Sequence, residues 1–498
     1  MSELFKKIIS HCKEYGFIFN SSEIYDGLSA VYDYGPLGVE LKNNIKSYWW
    51  DAMVKRNKNI VGIDSSIFMH PNTWKASGHI DAFNDPLIDN KDSKKRYRAD
   101  ELIENHIEKI ENKINKDIKK AKTKFGDNFN EKEFRKTNQR VLDRQKQINE
   151  IISEMNKCLQ SENLKGIKKL IEKIELKCPV SGTCNWTEVR QFNLMFKTKI
   201  GSNQETSSDI YLRPETAQGI FVNFLNVQKT TRQKIPFGIA QIGKAFRNEI
   251  IARQFIFRMR EFEQMEMQFF IRPGEEDEWY EYWKEKRMNW HISLGLRKED
   301  FSFKEHTKLA HYAKSACDIE FKFPFGFKEL EGIHSRSDFD LIQHQKLSGK
   351  KIKYFDSEIN ESFTPFVIET SIGLDRMFLA CLCSSFKREE NNNRILLKLP
   401  YKLAPIKIAV FPLTKDDSLV NIANNIYEKI NKKYNCFYEE KDSIGKRYRR
   451  QDAIGTPLCI TVDNESEKDQ KVTIRNRDSM IQERVALNKI EEYIEGCF

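Results

Sequence analysis

The chain has 498 residues, of which 39% are hydrophobic and 31% are charged, and these proportions exclude a largely disordered protein. It is too long for one compact core, so we expect two or three domains. Lysine and arginine outnumber aspartate and glutamate by 83 to 73, a formal charge of +10 that permits a polyanionic partner but that many enzymes share.

Signals for membranes, secretion and disulfides are missing from the sequence. No run of about 18 apolar residues occurs, so no membrane span is predicted. The first 17 residues mix charged and apolar side chains, unlike a secretory signal. Ten irregularly spaced cysteines do not indicate a disulfide framework. We therefore expect a cytoplasmic protein in a reducing compartment.

The N-terminal part predicts packed helices. Apolar residues recur every four positions and predict a helix over residues 39–54. Residues 87–178 contain no proline and carry a narrow apolar stripe, formed by Ile103, Ile107, Ile110, Ile114 and Ile118. This stripe predicts an inserted helical hairpin. The insertion either contacts a long partner or is a solvated spacer, and both interpretations remain open.

The rest of the chain predicts two kinds of sheet. Apolar and polar residues alternate over 187–271 and again over 362–383, which predicts strands of an antiparallel sheet. After residue 400, strands and helices alternate within about 100 residues, which predicts a small α/β domain.

Arginines and an aromatic residue occur together on two strands predicted to form a hairpin. The first strand ends in Arg247-Asn248-Glu249, and the second follows Arg258 and includes Phe262. Guanidinium groups bind phosphate and an aromatic plane stacks on a base, so this pattern suits a nucleoside triphosphate. Arg376 follows Gly373 at a predicted strand-to-helix junction and could reach the same pocket. An isolated Arg-x-Glu would more often mark an exposed, ion-paired hairpin.

These elements, with the helix that follows Gly35-Pro36-Leu37-Gly38, resemble the three signatures of class II aminoacyl-tRNA synthetases. Further runs are similar to the dimeric type of glycyl-tRNA synthetase, among them Arg96-Tyr97-Arg98-Ala99-Asp100, Leu212-Arg213-Pro214-Glu215-Thr216 and Phe262-Glu263-Gln264-Met265-Glu266. The resemblance covers most of the chain outside residues 101–177. It implies an α+β fold with an antiparallel catalytic domain over 1–400, a charged helical insertion at about 88–186, and an α/β anticodon-binding domain over 401–498.

The resemblance also implies an activity. Such an enzyme activates glycine with ATP and Mg²⁺ to glycyl-adenylate and pyrophosphate, and then transfers glycine to the 3′-terminal adenosine of tRNA(Gly). It implies a homodimer, because the helix that carries Trp49 and Trp50 is similar to the dimer-forming element of the family. The alternatives are a prolyl, threonyl or histidyl type of class II synthetase, or an inactive relative that binds nucleic acid.

The resemblance assigns ATP contacts to four segments. Arg247 would hold the α-phosphate and Arg258 the γ-phosphate, while Phe262 and Arg376 would cover the two faces of adenine. Arg247 and Arg376 are the predicted catalytic residues. The predicted ATP-binding residues are Arg247, Asn248, Glu249, Phe257, Arg258, Met259, Arg260, Glu261, Phe262, Glu329, Leu330, Gly373, Leu374, Asp375 and Arg376.

A pocket selective for glycine must hold an ammonium group and leave no room for a methyl group. The predicted glycine-binding residues are Arg98, Glu215, Phe262, Glu263, Gln264, Met265, Glu266, Glu369, Thr370, Ser371, Ile372 and Gly373. Ile372 stands where the family usually has alanine. Either it faces away from glycine or the pocket is remodelled.

Two metal questions follow from the resemblance. Glu329 would contact ATP or its Mg²⁺. Relatives often carry two Cys-x-x-Cys pairs spaced as a structural zinc site, and the corresponding positions here are Asn90, Ser93, Cys178 and Ser181. One thiol does not make a four-ligand site, so we expect no zinc.

A basic cluster surrounds Tyr448 in the C-terminal domain. Basic side chains beside an aromatic ring suit a splayed single-stranded RNA loop. The alternative is a solvated turn. With two arginines of a following strand, the predicted tRNA-binding residues are Lys446, Arg447, Arg449, Arg450, Arg475 and Arg477.

Overall fold

The computed structural model of the chain describes residues 2–126, 129–161, 163–201, 207–250, 254–306, 309, 313–389 and 394–498. The chain divides into two compact units. The first comprises Met1–Ser77, Phe196–Arg247 and Ala252–Phe498, and the second comprises Gly78–Met195 with Asn248–Ile251.

Helices and strands alternate irregularly along the chain. The helices are α1 Glu3–Glu14, α2 Pro36–Trp50, α3 Pro71–Ala76, α4 His79–Ala82, α5 Ala99–Phe125, α6 Glu131–Thr137, α7 Gln139–Gln160, α8 Leu164–Lys173, α9 Ala217–Thr231, α10 Glu276–Ser293, α11 Phe339–Ser348, α12 Leu374–Ser385, α13 Asp417–Asn431, α14 Ile444–Ile454, α15 Ser466–Asp469 and α16 Ile490–Glu495. The strands are β1 Ile18–Asn20, β2 Tyr32–Tyr34, β3 Ile60–Gly62, β4 Asn84–Asp89, β5 Arg96–Arg98, β6 Arg190–Asn193, β7 Lys197–Ile200, β8 Ser208–Tyr211, β9 Phe237–Phe246, β10 Glu261–Ile271, β11 Phe301–Glu305, β12 Ser315–Phe323, β13 Gly326–Ser337, β14 Tyr354–Asp356, β15 Glu361–Phe363, β16 Phe366–Gly373, β17 Phe386–Glu389, β18 Arg394–Leu397, β19 Ile408–Pro412, β20 Cys436–Tyr438, β21 Leu458–Val462, β22 Lys471–Asn476 and β23 Gln482–Ala486.

Helix α2 begins at the glycine-proline turn, three residues before the predicted start. Pro36 occupies the first turn, where its missing N–H leaves no hydrogen bond unmade. A Cβ at Gly38 would lie 1.9 Å from the Phe17 carbonyl oxygen, so only glycine allows this close approach. The helix then runs into the π-helical turn Asp51–Lys55.

The first unit is built on a seven-stranded sheet in the order β11-β12-β13-β16-β10-β9-β3. All neighbours are antiparallel except β3 and β9, which are parallel. The antiparallel sheet predicted from alternation is therefore confirmed.

Helices α10 and α12 cover one side of this sheet, which we call the helix face, and α2 packs on α12. Because successive side chains on a strand project to opposite sides, every second residue of the central strands belongs to this face. Met265, Met267 and Phe269 of β10 are buried there with Ile368 and Ile372 of β16.

The opposite side, which we call the site face, is apolar at one end only. There α9 and α11 cover Phe237, Phe270 and Val367, which pack against Phe224 and Leu341. Towards the other end of β10 the residues of this face are Gln268, Glu266, Gln264 and Phe262, so a polar surface lies beside the start of α9.

The second unit contains the predicted helical insertion. Its sheet has the order β5-β4-β6, and α5 packs against α7 and α8. All five isoleucines of the stripe are buried in one hydrophobic cluster with residues of α7 and α8. The helical character of the insertion is therefore confirmed.

The C-terminal part of the first unit has its own sheet, in the order β20-β19-β21-β22-β23. Strand β19 is parallel to both of its neighbours, and the remaining pairs are antiparallel. Ile408, Leu458 and Ile460 pack with Leu419 and Ile426 of α13 in a separate hydrophobic cluster. The predicted α/β fold is confirmed.

Helix α5 is the longest helix of the described ranges, with 27 residues, and it carries many charged side chains. In those ranges no helix has both the length and the apolar character needed to cross a membrane.

Candidate active site

Arg247 follows β9 directly and lies beside Phe262 of β10. The Arg247 guanidinium carbon is 5.2 Å from the centre of the Phe262 ring, and its Nε donates to the Pro214 carbonyl at 3.0 Å. The backbone N–H of Arg247 donates to the Arg260 carbonyl at 2.9 Å, which continues the β9–β10 hairpin. The two residues predicted to meet ATP at this position are therefore neighbours.

Arg376 lies in the first turn of α12 and reaches towards two other predicted residues. Its guanidinium carbon is 4.4 Å from the centre of the Phe257 ring, and its Nε donates to the Phe257 carbonyl at 3.2 Å. Its Nη1 lies 3.1 Å from a carboxylate oxygen of Glu329. The positive charge of Arg376 lowers the pKa of Glu329, which remains anionic at neutral pH.

Four predicted ATP-binding residues have side chains that do not face the site, and these predictions are corrected. Met259, Leu330 and Leu374 are buried in the hydrophobic cluster of the helix face, so only their backbone atoms could contact a nucleotide. The Asp375 carboxylate also points away, because it binds Lys42 of α2.

Three predicted ATP-binding residues at or just before the start of β10 have different neighbours. Arg258 is half-buried and directly follows the 3₁₀ turn Phe255–Phe257. Arg260 donates from Nη1 to the Ser29 carbonyl at 3.0 Å. Glu261 pairs with Lys244 across the hairpin on the surface. The predicted ATP contacts of Arg258, Arg260 and Glu261 stay predictions.

Acidic side chains converge on the site face next to the start of α9. Gln268 donates from Nε2 to Glu266 and to Glu369, both at 2.7 Å. Glu266 and Glu369 are 1% and 5% exposed, so neither carboxylate is solvated by bulk water. Thr216 donates a hydroxyl hydrogen bond to Glu266, and the adjacent Glu215 accepts one from Gln218 at 3.0 Å.

Gln264 and Ser371 complete this wall of the pocket. Gln264 donates from Nε2 to the Ser371 hydroxyl at 3.2 Å and accepts the backbone N–H of Thr216 at 3.2 Å. Gln264 also pairs with Gly373 across the sheet. Four of the predicted glycine-binding residues, Gln264, Glu266, Glu369 and Ser371, are thus linked by hydrogen bonds, directly or through Thr216 and Gln268. Glu215 precedes Thr216 in the chain.

Two basic residues of β13 that the sequence reasoning missed border the same pocket. Arg336 donates to Glu369 at 2.9 Å and to Asp340 at 2.8 and 3.0 Å. His334 Nδ1 lies 2.7 Å from Glu369. Both belong to the run Gly332-Ile333-His334-Ser335-Arg336, whose alternation on a strand adjacent to β16 was the signal that could have found them.

Glu266 and Glu369 differ in how readily they ionise because their surroundings differ. Burial and the negative charges of Glu369 and Glu215 raise the pKa of Glu266 well above its usual value. Burial also opposes ionisation of Glu369, but the charge of Arg336 and the hydrogen bond from His334 outweigh it and lower the pKa of Glu369. Glu369 is therefore anionic at neutral pH, and Glu266 binds a proton more readily than Glu369 does.

Four residues of the predicted glycine set project to the helix face instead, and these predictions are corrected. Met265, Thr370 and Ile372 are at most 1% exposed on that side. Glu263 pairs there with Lys42 at 2.8 Å. The reason is the two-residue period of a strand, which sends the neighbours of Glu266 and Ser371 to the other side of the sheet. Ile372 thus faces away from the pocket, one of the two possibilities left open above.

Three predicted residues belong to the second unit. Arg98 lies between two carboxylates, 3.0 Å from Asp85 and 2.7 Å from Asp100. Asn248 donates its backbone N–H to the Leu194 carbonyl at 2.7 Å. The predicted substrate contacts of Arg98, Asn248 and Glu249 stay predictions.

The positions compared with a zinc site are close together but carry the wrong ligands. Ser93 Oγ lies 3.3 Å from Cys178 Sγ, and Ser181 donates to the Asn90 amide oxygen at 2.9 Å. Hydroxyl and amide groups beside one thiol do not fit Zn²⁺, which prefers thiolates and imidazoles. Across the described part of the chain, no three His, Cys, Asp or Glu side chains are grouped so as to hold a metal ion.

Half of the predicted tRNA-binding residues are structural, and these predictions are corrected. Arg447 is 1% exposed and donates to the Pro412 carbonyl at 2.7 Å. Arg475 forms two hydrogen bonds with Asp452, at 2.8 and 2.9 Å. Arg477 donates to the Gly455 carbonyl at 2.7 Å. Arginines that are buried and donate to acceptors within the protein are not accessible to RNA.

The other three basic residues lie on the outer side of α14. Lys446 and Arg449 are exposed, and neither forms an ion pair with another residue that the structure describes. Arg450 is half-buried and pairs with Glu439 and Asp442, both at 2.8 Å. Lys446 and Arg449 are therefore the basic residues of this cluster most accessible to a polyanion.

Comparisons with known proteins agree with this arrangement. The family model for the tRNA synthetase class II core domain (G, H, P, S and T) matches residues 196–386, that for glycyl-tRNA synthetase insertion domain 1 matches 85–194, and that for the anticodon binding domain matches 407–496. A glycine–tRNA ligase of Chlorobaculum tepidum is 49% identical over 491 residues, which cover 98% of each chain. One of Staphylococcus aureus is 46% identical over 493 residues, which cover 98% of this chain and 97% of that one. The chain therefore belongs to the glycyl-tRNA synthetase family of class II aminoacyl-tRNA synthetases.

Proposed function

We propose that this chain is a glycine–tRNA ligase. It activates glycine with ATP to glycyl-adenylate and pyrophosphate, and it then transfers glycine to the 3′-terminal adenosine of tRNA(Gly). The observation that carries the proposal is the convergence of Glu215, Glu266 and Glu369 on the same sheet face as Arg247 and Phe262. Relatives of nearly the same length, at 46–49% identity, are glycine–tRNA ligases.

Glycine offers an ammonium group, a carboxylate and no side chain. The anionic Glu369 and the neighbouring Glu215 attract the ammonium group, which Glu266 borders on the same face of the sheet. Gln264 and Ser371 border the same space and leave polar surface where a larger amino acid would need an apolar slot. A pocket lined by such polar groups rejects a methyl group more strongly than an apolar pocket could.

Activation needs positioning and positive charge and no covalent nucleophile. The glycine carboxylate attacks the α-phosphorus of ATP while pyrophosphate leaves. Arg247 stabilises the negative charge that grows on the α-phosphate, and Arg258 holds the γ-phosphate. Phe262 stacks on one face of adenine and Arg376 covers the other, since both side chains border the site face.

Glu329 fits a role in holding Mg²⁺ together with the phosphates of ATP. Its side chain is about half exposed, and the nearby charge of Arg376 keeps it anionic. Mg²⁺ in such sites usually takes one or two carboxylates beside the phosphate oxygens, and it neutralises phosphate charge when bound.

We also propose the organisation of the chain around this activity. Residues 1–400 form the catalytic domain with the insertion at about 88–186, and residues 401–498 bind the anticodon of tRNA(Gly). Lys446 and Arg449 are the basic residues proposed to contact RNA. All ten cysteines are free, which suits a reducing compartment such as the cytoplasm.

A homodimer is proposed from the exposed apolar side chains near α2. Ile24 and Tyr25 are 87% and 80% exposed, which is unusual for residues of this kind on a monomer. Val39 of α2 is exposed as well. Trp49, which motivated the dimer at the level of sequence, is fully buried in the core of its own chain and cannot contact a partner.

Amino-acid-dependent ATP–pyrophosphate exchange, measured across the twenty amino acids, tests the proposed function. We expect glycine to support exchange and the other amino acids to support little. Exchange driven best by proline, threonine or histidine would overturn the assignment.

A further inference from the structure

A group of four charged side chains lies on the helix face directly behind the ATP site. We call it the Lys42 cluster, and its members are Lys42, Lys46, Glu263 and Asp375. Lys42 Nζ lies 2.8 Å from Glu263 and 3.0 Å from Asp375, and Lys46 Nζ lies 2.5 Å from the other oxygen of Glu263. Tyr34 donates its hydroxyl to Asp375, and Lys42 Nζ is 3.9 Å from the centre of the Tyr34 ring.

The cluster joins the two elements that carry the proposed adenine contacts. Glu263 directly follows Phe262 on β10, and Asp375 directly precedes Arg376 on α12. Because neighbouring residues project in different directions, one of each pair faces the nucleotide site and the other faces the cluster. Any movement of Glu263 or Asp375 must therefore displace Phe262 or Arg376.

Asp375 extends the connection between the strands beyond the end of their ladder. The β10–β16 pairing ends at Gln264 and Gly373. Past that point the Asp375 carboxylate accepts the backbone N–H of Glu263 at 2.7 Å. This hydrogen bond fixes the first turn of α12 against β10, and it needs the Asp375 side chain to be held in place.

Lys42 supplies the charge that makes this arrangement possible. Lys42, Glu263 and Asp375 are 9%, 8% and 2% exposed, so a carboxylate without a cation here would be strongly destabilised. Burial opposes the charged form of Lys42, but Asp375 and Glu263 outweigh it and raise the pKa of Lys42. Within the described part of the chain, Lys46 forms an ion pair with Glu263 alone and is more exposed than Lys42, so it cannot replace Lys42 at Asp375.

We propose that Lys42 is a positioning residue for ATP binding, which acts by holding Asp375 and Glu263 so that Arg376 and Phe262 keep their places on either side of adenine. The inference rests on the proposed function. It adds a residue of α2, outside the nucleotide site, to the groups that determine the affinity for ATP.

The test is the substitution Lys42→Met, which keeps the length of the side chain and removes its charge. Glycine-dependent exchange is measured against ATP concentration at saturating glycine, and against glycine concentration at saturating ATP. We expect the KM for ATP to rise at least tenfold and the KM for glycine to change less than twofold. A purely structural role would lower the active fraction, and thus kcat, without raising the KM for ATP.

Lys46→Met is the matched control on the same helix, because it removes a contact with Glu263 and leaves Asp375 paired. Its KM for ATP should stay within threefold of the wild-type value, and Lys42→Arg should restore most of the loss. The double substitution Lys42→Met with Glu263→Gln keeps the net charge of the cluster at zero. It provides a second variant for the test if the single variant misfolds. It should still show the raised KM for ATP, because Asp375 remains without its lysine.

A wild-type KM for ATP in the double variant, or in a folded Lys42→Met variant, overturns this inference. Lack of glycine-dependent exchange in the wild-type chain overturns the proposed function instead. The two failures are therefore distinguishable in the same assay.

Discussion

Two glutamates of the acidic pocket, Glu266 and Glu369, ionise with different ease although their side chains are identical. Glu369 is paired with Arg336 and His334, whereas Glu266 accepts hydrogen bonds from the neutral side chains of Thr216 and Gln268. Neighbouring ionised carboxylates repel one another, so the raised pKa of Glu266 favours its neutral form until a cation arrives. The ammonium group of glycine is such a cation.

The raised pKa of Glu266 makes the stability of the ligand-free protein dependent on pH. Because the pKa of Glu266 is raised in the folded chain, its contribution to stability is present at low pH and is lost as the pH rises through that folded-state value. Glu266→Gln is permanently neutral and should escape this loss. We expect the unfolding temperature of the wild type, relative to the variant, to fall between pH 5 and pH 9. Thermal unfolding at several pH values measures it, and a constant difference would contradict the prediction.

Arg247→Ala tests the charge beside the α-phosphate. Loss of a charge-assisted contact that strengthens in the transition state should lower the rate of exchange by about 10²–10³-fold, which corresponds to roughly 3–4 kcal/mol. Arg297→Ala is the control, because this arginine is exposed and pairs only with nearby acidic residues. An Arg247→Ala rate within threefold of the wild type would place this arginine outside the site.

At the scale of elements, the two-residue period of β10 explains which of the predicted glycine-binding side chains lie on the site face and which lie on the helix face. The sequence identifies a strand with acidic residues at 263 and 266, but those two positions lie on opposite faces, and the pattern alone does not say which face binds glycine. The neighbours decide it, since Met265 and Met267 join the helix-face core while Gln264 and Glu266 meet α9. Tertiary packing of this kind is not visible in a single strand.

The basic residues of the C-terminal domain also show that a local sequence pattern does not reveal tertiary contacts. Arg447 reaches carbonyl groups of β19 and the loop after it, and Arg475 binds Asp452 of α14. These partners lie tens of residues away along the chain, so a run of basic residues cannot reveal that some of its members are buried. Local composition identifies a basic cluster but does not show which of its side chains are exposed.

Arg475→Ala should therefore destabilise the protein. It leaves Asp452 buried at 1% exposure with Arg394 as its remaining ionic partner, and removal of one member of a buried charged group costs about 3–5 kcal/mol. The free energy of unfolding, from denaturant titration, measures the effect. Arg388→Ala, at an exposed position of β17, is the control and should change it by less than about 0.5 kcal/mol.

The pair Lys446→Ala with Arg449→Ala tests the exposed side of α14. These substitutions should leave the free energy of unfolding unchanged and raise the KM for tRNA in aminoacylation by about tenfold. The dependence of that KM on salt should become shallower, because fewer counterions are released on binding. Lys432→Ala, at the exposed end of α13, is the matched control. An unchanged KM for tRNA would indicate the solvated turn considered above.

At the scale of the whole molecule, ordered motifs identified the fold class and the family, because each motif ties a residue type to one position in the sheet. The helical insertion was found from its stripe alone. The sequence did not reveal that α1 meets α14, where His11 Nε2 lies 2.8 Å from the Ala453 carbonyl oxygen. That contact joins residues 442 positions apart, and no local pattern encodes such a separation.

The prediction of a homodimer depends on the exposed apolar turn before β2. Glu23–Tyr25 form a 3₁₀ turn between Ser22 and Asp26, both in the left-handed region, so the backbone holds Ile24 and Tyr25 outward in a defined conformation. Exposing two large apolar side chains has no benefit for a monomer, but burying them against a second copy removes their surface from water. We propose that this turn belongs to the dimer interface.

Ile24→Asp with Tyr25→Asp should therefore dissociate the dimer, because burial of two unpaired carboxylates opposes association. Sedimentation equilibrium at micromolar concentration should give the wild type twice the chain mass of 58.8 kDa, and the variant a mass near that of one chain. Ile481→Asp, at an exposed apolar position beside β23, is the matched control and should stay dimeric. If the variant sediments as the wild type does, the turn lies outside the interface, and if the wild type itself is a stable monomer, the homodimer is refuted.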